Sequence, residues 1–130
     1  MKFEEIEIKK ETPSIITIKF KPENAIVFRA GQYFVYKLDV DDPKGNTRAF
    51  SSASSPTEGI IILSFRISDS PFKQKLASLK KGDPIEVKGP LGSFSLDEGK
   101  QAVMLSGGIG ITPLRSMIKY ATDSNLKTKI

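Results

Sequence analysis

Apolar residues in the first hundred positions recur mostly at every second place, in short runs cut by turn residues. Residues 3–10 alternate loosely, with Ile6 and Ile8 on one face, and predict a strand that Glu11-Thr12-Pro13-Ser14 ends. Ile16, Ile18 and Phe20 mark a second strand over 15–20, and Lys21-Pro22-Glu23-Asn24 reads as a turn. The span 25–31 is apolar at Ile26, Val27 and Phe28 and closes on Ala30-Gly31. Gln32 to Val40 alternates clearly, with Phe34, Tyr36, Leu38 and Val40 set against Tyr33, Val35, Lys37 and Asp39. Both faces carry bulk, so this strand is expected between two surfaces. Asp41-Asp42-Pro43-Lys44-Gly45-Asn46 has the chemistry of a hairpin loop, and a return strand follows over 47–53. Ser55-Pro56-Thr57-Glu58-Gly59 turns the chain into a β-branched strand, 60–67, with Ile61, Leu63, Phe65 and Ile67 on one face.

The period then changes. Ser70 suits an N-cap and Pro71 a first helical position, and Phe72, Leu76 and Leu79 recur at helical spacing through Lys80. Gly82-Asp83-Pro84 stops that helix, Ile85 to Lys88 is a short strand, and Gly89-Pro90-Leu91-Gly92 a tight turn. Phe94 and Leu96 open another short apolar piece. Six or more short strands with one helix predict an antiparallel barrel. The last thirty residues differ: Ala102-Val103-Met104-Leu105 is a continuous apolar run, expected as a strand buried on both faces. Ser106-Gly107-Gly108-Ile109-Gly110-Ile111-Thr112-Pro113 follows, then a helical face of Leu114, Met117, Ile118 and Ala121. Strand, glycine-rich turn and helix are the opening of a nucleotide-binding α/β unit. The domain boundaries expected are therefore 1–99 for the barrel and 100–130 for the first strand and helix of an incomplete second domain.

Composition narrows the chemistry. The 130 residues contain no cysteine and no histidine. That excludes disulfides, thiol catalysis, cysteine-held iron–sulfur clusters, ordinary zinc sites and a Ser-His-Asp triad within the chain. No carboxylate cluster suggests a metal, so redox or group-transfer chemistry would need an organic cofactor. The net charge of +5 is scattered and suits phosphate-bearing ligands only weakly. No apolar run reaches membrane-span length, and the charged start gives no signal peptide, so a cytoplasmic location is expected.

Three stretches have the chemistry to hold a large phosphorylated ligand. Arg48-Ala49-Phe50-Ser51-Ser52-Ala53-Ser54 joins a guanidinium fork, an aromatic ring on the same face and hydroxyls. Ser70-Pro71 exposes N–H groups at Phe72 and Lys73, with Lys73 adding charge, although taken alone ordinary capping of a surface helix is the better account of it. Gly107, Gly108 and Gly110 permit close backbone approach ahead of a helix start, where Thr112 adds a hydroxyl. The turn matches neither G-x-G-x-x-G nor the Walker pattern.

Taken in order with Phe65-Arg66-Ile67-Ser68-Asp69-Ser70-Pro71-Phe72-Lys73, Gly82-Asp83 and Gly89-Pro90-Leu91-Gly92-Ser93-Phe94, these motifs make the chain resemble the ferredoxin–NADP⁺ reductase superfamily along nearly its whole length. The resemblance implies a six-stranded antiparallel Greek-key barrel with one capping helix, followed by a single β-α unit of a truncated Rossmann-like domain. It implies FAD, less often FMN, and NAD(P)H as hydride donor in the intact enzyme. By position, Arg48 would hold the flavin pyrophosphate, and Phe50, where the family usually has tyrosine, would pack on the isoalloxazine. Ser51, the one catalytic assignment, would hydrogen-bond N5, the atom that takes the hydride. Ser54 would support the loop or the pyrimidine end. Phe65 and Arg66 would line the ribityl or adenosine side. Ser70, Pro71, Phe72 and Lys73 would set a helix N-terminus at the pyrophosphate. Gly107, Gly108, Gly110 and Thr112 would begin the nicotinamide domain.

The function implied is the FAD-binding part of an NAD(P)H-dependent flavin oxidoreductase that passes electrons to a protein, such as a ferredoxin, or to a small molecule. The unfinished second domain would leave apolar surface, so the chain is either a segment of a longer protein or a short one that dimerises or swaps through its C-terminal unit. A non-catalytic flavin or nucleotide module is the alternative of another class. A barrel stacking single-stranded nucleic acid on Tyr33, Tyr36 and Phe50 is a third, disfavoured because it leaves the glycine-rich unit unexplained.

Overall fold

The computed structural model describes residues 1–130. Six strands form one antiparallel sheet: β1 (Lys2–Thr12), β2 (Ile15–Pro22), β3 (Tyr33–Lys37), β4 (Thr47–Ser51), β5 (Ile61–Arg66) and β6 (Pro84–Leu91). Their order, β4-β3-β6-β1-β2-β5, makes β4 and β5 the two edges. The sheet curls until these edges meet without closing fully. Phe50 of β4 lies 6.2 Å from Phe65 of β5, ring centre to ring centre, and the Ala53 N–H donates to the Ile62 carbonyl at 2.8 Å. This is the expected barrel, with a seam between β4 and β5.

Inward-facing residues of all the strands but β4 fill the barrel. Phe3, Phe20, Phe34, Tyr36 and Phe65 are buried there with Ile18, Leu63, Ile85 and Val87. Helix α1 (Pro71–Ala77) plugs one end with Phe72 and Leu76, and buried Leu79 follows it. The helix is shorter than its pattern predicts. Ser78 N–H turns back to the Gln74 and Lys75 carbonyls, and the Asp83 carboxylate takes the Lys80 N–H at 2.8 Å, so the chain leaves the helix before Lys80.

Three expectations about strands need correction. In β1 the core-facing residues are Phe3 and Glu5 rather than Ile6 and Ile8. A bulge between Glu5 and Glu7 resets the register. Ile8 pairs with Ile18, yet Ile18 is buried in the core while Ile8 is exposed. The run 102–105 forms no strand, with Val103 85% and Leu105 89% exposed. No strand of this chain lies beside it, so its pairing groups have no ladder to join. Phe94 and Leu96 likewise sit outside any strand.

The expected second helix is present as α2 (Ile111–Asp123), after a single 3-10 turn at Gly108–Gly110. It packs against the barrel. Leu114 and Met117 bury with Ala30, and Leu96, Met104 and Tyr120 pack around them.

Candidate functional site

Arg48 is the centre of the best-formed polar cluster. Its Nη1 donates to three backbone carbonyls of the β3–β4 hairpin: Lys44 at 3.2 Å, Gly45 at 2.8 Å and Thr47 at 2.7 Å. Its Nη2 lies 3.0 Å from Asp42 Oδ2, and its guanidinium carbon 5.0 Å from the centre of the Phe72 ring. Strand β4 therefore aims the guanidinium at the start of α1, where Phe72 is fixed in the core. The Asp42 side chain is only 3% exposed and that of Arg48 19%. Asp42 Oδ2 also accepts from Ser70 Oγ and from the Phe72 N–H, each at 3.0 Å, while Oδ1 accepts from the Lys44 N–H at 2.8 Å. These donors, the Lys44 and Phe72 N–H groups first, hold the Asp42 carboxyl down at about 2, against the opposing push of burial. One cation, one hydroxyl and backbone N–H groups thus converge on one carboxylate, and Ser70, the hydroxyl donor, lies 28 residues along the chain from Asp42.

Farther along β4 the hydroxyl-rich run divides into two parts. Phe50 and Ser51 are half-buried at the seam, and Ser51 Oγ has no hydrogen-bond partner within the chain. Ser52, Ser54 and Ser55 are buried. Ser54 Oγ accepts from the Ile62 N–H at 3.1 Å and shares a 2.8 Å bond with Ser52 Oγ. Ser55 caps the short turn at Pro56–Glu58. Helix α2 locks onto the same run: Ser116 Oγ donates to the Ser54 carbonyl and Arg115 Nη1 to the Ala53 carbonyl, both at 2.6 Å. Arg115 also forks onto Glu58 at 2.9 and 3.1 Å. Burial pushes the Glu58 carboxyl up, but Arg115 and the Ser55 N–H outweigh it and hold the group below the usual range.

The glycine turn lies beside the end of β5. Gly108 has φ +55°, a region that favours glycine, and a Cβ there would stand 3.3 Å from Arg66 Nη2. Gly107 and Gly110 have open space where a Cβ would be. Arg66 is exposed and reaches Ser14 Oγ at 3.4 Å. Thr112 is buried, its hydroxyl donating to the Ile109 carbonyl at 3.0 Å.

Residues 3–96 match the family model of the oxidoreductase FAD-binding domain. The chain belongs to that family. Among its relatives, the phenol hydroxylase P5 protein of Acinetobacter pittii is 35% identical over 125 residues, 92% of this chain and 34% of that one. The sulfhydrogenase 2 subunit gamma of Pyrococcus furiosus is 33% identical, over 96% of this chain and 44% of that one. The chain spans about a third of the length of most of these curated relatives. The fold is shared with a cytochrome P450 reductase from Amycolatopsis (TM-score 0.78, 24% identity, 95% of this chain and 39% of that one). It is shared also with the ferredoxin-NADP⁺ reductase of Plasmodium falciparum (TM-score 0.82, 16% identity, 98% and 55%).

An FAD-binding domain must hold a diphosphate, and this structure offers a direct test of fit. The groups that hold Asp42 already bind an anion, with the carboxylate standing where a phosphate oxygen can be held. The residues present therefore fit the cofactor. Of the predicted site residues, Arg48, Ser70, the Phe72 N–H and exposed Pro71 gather at this cluster, and half-buried Lys73 adjoins it, its N–H donating to Ser70 Oγ at 3.4 Å. Phe50 and Ser51 follow on the same strand, Ala49 between them and Arg48 facing outward. Arg66 and Gly108 form a second group. Two residues sit differently from a ligand-lining role: Phe65 is in the core on the inward face of β5, and the Thr112 hydroxyl is spent inside the fold. Of the two roles expected of Ser54, its hydroxyl serves the loop, bonding Ser52 Oγ and the Ile62 N–H. The stacking trio of a nucleic-acid barrel is not assembled either, because Tyr36 is wholly buried. Sequence reasoning missed Asp42 and Arg115. Asp42 carried a signal only as a turn residue two places before Lys44; nothing in the sequence links it to Ser70.

Proposed function

We propose that this chain is the flavin-binding portion of an NAD(P)H-dependent oxidoreductase, with Arg48, Ser70 and the Phe72 N–H taking the FAD diphosphate. The observation that carries it is the anion cluster around Arg48, reached from β4 and α1 together. Bound flavin would supply the redox chemistry, accepting a hydride and releasing electrons in ones or twos. The chain's own residues bind and orient. Arg48 neutralises phosphate charge and keeps β4 in register with the hairpin loop. Phe50, packed against Tyr36 and Phe65, offers a ring edge at the seam. Ser51 has a free hydroxyl, one place further along the strand, to donate to a ring nitrogen. Arg66 and the Gly107–Gly110 turn stand where a second nucleotide could be approached by backbone. Relatives named as reductase components of a monooxygenase and a dioxygenase support electron transfer to a protein acceptor; a ferredoxin as that acceptor and a cytoplasmic location are part of the proposal.

Reconstitution with FAD tests this. The purified chain should form a yellow complex with one flavin per chain. Arg48→Ala should weaken FAD at least about tenfold while leaving riboflavin, which has no phosphate, nearly unchanged. Equal FAD affinity in the variant would remove the assignment of Arg48.

A further inference from the structure

We infer that Asp42 is a built-in competitor for the diphosphate site: its carboxylate pairs with the charge of Arg48 and occupies the donors of Ser70 and Phe72, and FAD binds by displacing it. The inference rests on the flavin-binding proposal above and adds a residue that controls its affinity.

The geometry leaves little room for both anions. Asp42 Oδ2 accepts from Ser70 Oγ and the Phe72 N–H, each at 3.0 Å, and lies 3.0 Å from Arg48 Nη2 as an ion pair in which that nitrogen makes no hydrogen bond. A diphosphate oxygen reaching the same donors would meet a carboxylate at contact distance, in a place where the side chain is 3% exposed and water screens poorly. Coexistence is therefore unfavourable, and one anion must leave.

Asp42 can leave without breaking the barrel. It lies in the hairpin loop between β3 and β4, outside every strand. Its ties to that loop are local: Oδ1 to the Lys44 N–H at 2.8 Å, and its carbonyl to the Gly45 N–H at 2.8 Å. The other anchor of the loop is Arg48, whose Nη1 holds the Lys44, Gly45 and Thr47 carbonyls. An arginine turned toward phosphate would loosen those bonds as well. Ligand binding and loop order are thus opposed, through the same guanidinium.

Asp42→Asn is the informative change, because the amide oxygen can still accept from Lys44 while the charge is gone. FAD should bind the variant at least about tenfold more tightly than the wild type, inorganic pyrophosphate should follow the same trend, and riboflavin should not change. Equal or weaker FAD binding by a folded Asp42→Asn chain would overturn the inference, and would make Asp42 a support for Arg48 instead. If neither protein binds FAD, the flavin proposal itself falls, and the competitor with it. If the variant does not fold, hydrogen exchange on the wild type decides. Saturating FAD should speed exchange of the Lys44 amide about tenfold or more as its acceptor moves away, and unchanged protection would show that Asp42 stays in place.

Discussion

Glu5 is the residue most at odds with its surroundings. It lies on the core face of β1, 1% exposed, and neither carboxylate oxygen has a hydrogen-bond partner. Burial, and then repulsion from Asp83, push its carboxyl above the ordinary 4.5, with Lys81 opposing. A raised carboxyl favours the folded state while it stays protonated. That contribution is full below the ordinary value and is lost as pH rises through the raised one. At pH 7 the chain therefore bears either a buried charge or the free energy of neutralising it. Glu5→Met, similar in length and adaptable, should stabilise the protein by ~1–3 kcal/mol at pH 7. The gain should shrink at pH 4. Urea denaturation at the two pH values checks it; an equal midpoint shift at both would show that the charge is not the cause. Asp42 behaves oppositely. Its carboxyl is lowered to about 2, so its hold on the loop persists from neutral pH through the ordinary carboxylate range and is lost only as pH falls through about 2. Backbone amide exchange at Lys44 should accordingly be flat between pH 7 and 4 once corrected for intrinsic rate.

The elements show where local pattern is sufficient and where it is not. Strands β2, β3 and β5 follow their alternation closely because each is paired along its length and has a filled core face. The N-cap of α1 was legible too, as Ser70 accepts from the Lys73 N–H. The β1 register was not, since a bulge leaves no sequence mark here as plain as a glycine. The 102–105 strand failed for a different reason: an apolar run specifies burial, but a strand also needs a neighbour. Of the site, Arg48 and Ser70 were legible as anion-binding types. Their convergence on Asp42, and the docking of α2 on Ser54, are long-range facts that no local window contains. Gly31 illustrates how closely α2 approaches. It has φ +101°, and a Cβ there would meet the Phe94 carbonyl oxygen and, at 2.5 Å, the Met117 side chain. Gly31→Ala should cost about 3 kcal/mol or more from combined strain and overpacking. Gly107→Ala, in open space with an extended backbone, should be near neutral. Urea midpoints that fail to separate the two would contradict this packing.

At the scale of the molecule, the position of α2 decides whether the chain behaves as a barrel with an appendage or as one cooperative unit. The family match ends at residue 96, yet contacts cross that boundary in two chemically different ways. Leu114 and Met117 close over Ala30 as a second apolar cluster, and Arg115 and Ser116 take carbonyls of the serine run that continues from β4. Thr57 and Asp123 add a third tie at 2.5 Å. The strand that presents Phe50 and Ser51 is thus anchored at its far end by a helix from beyond the barrel. Burying Leu114 and Met117 is worth about 3–6 kcal/mol together, an upper bound set by the extended reference chain. That is comparable with the whole stability of a typical small domain. A chain ending at Gly99 should therefore unfold at clearly lower urea, with a smaller slope because less surface is exposed. If it still folds, its FAD affinity should fall although Arg48, Asp42 and Ser70 are all retained, since the Ser52–Ser55 run loses its anchor. An unchanged midpoint and slope would make α2 an appendage, and unchanged FAD affinity would confine the flavin site to the barrel.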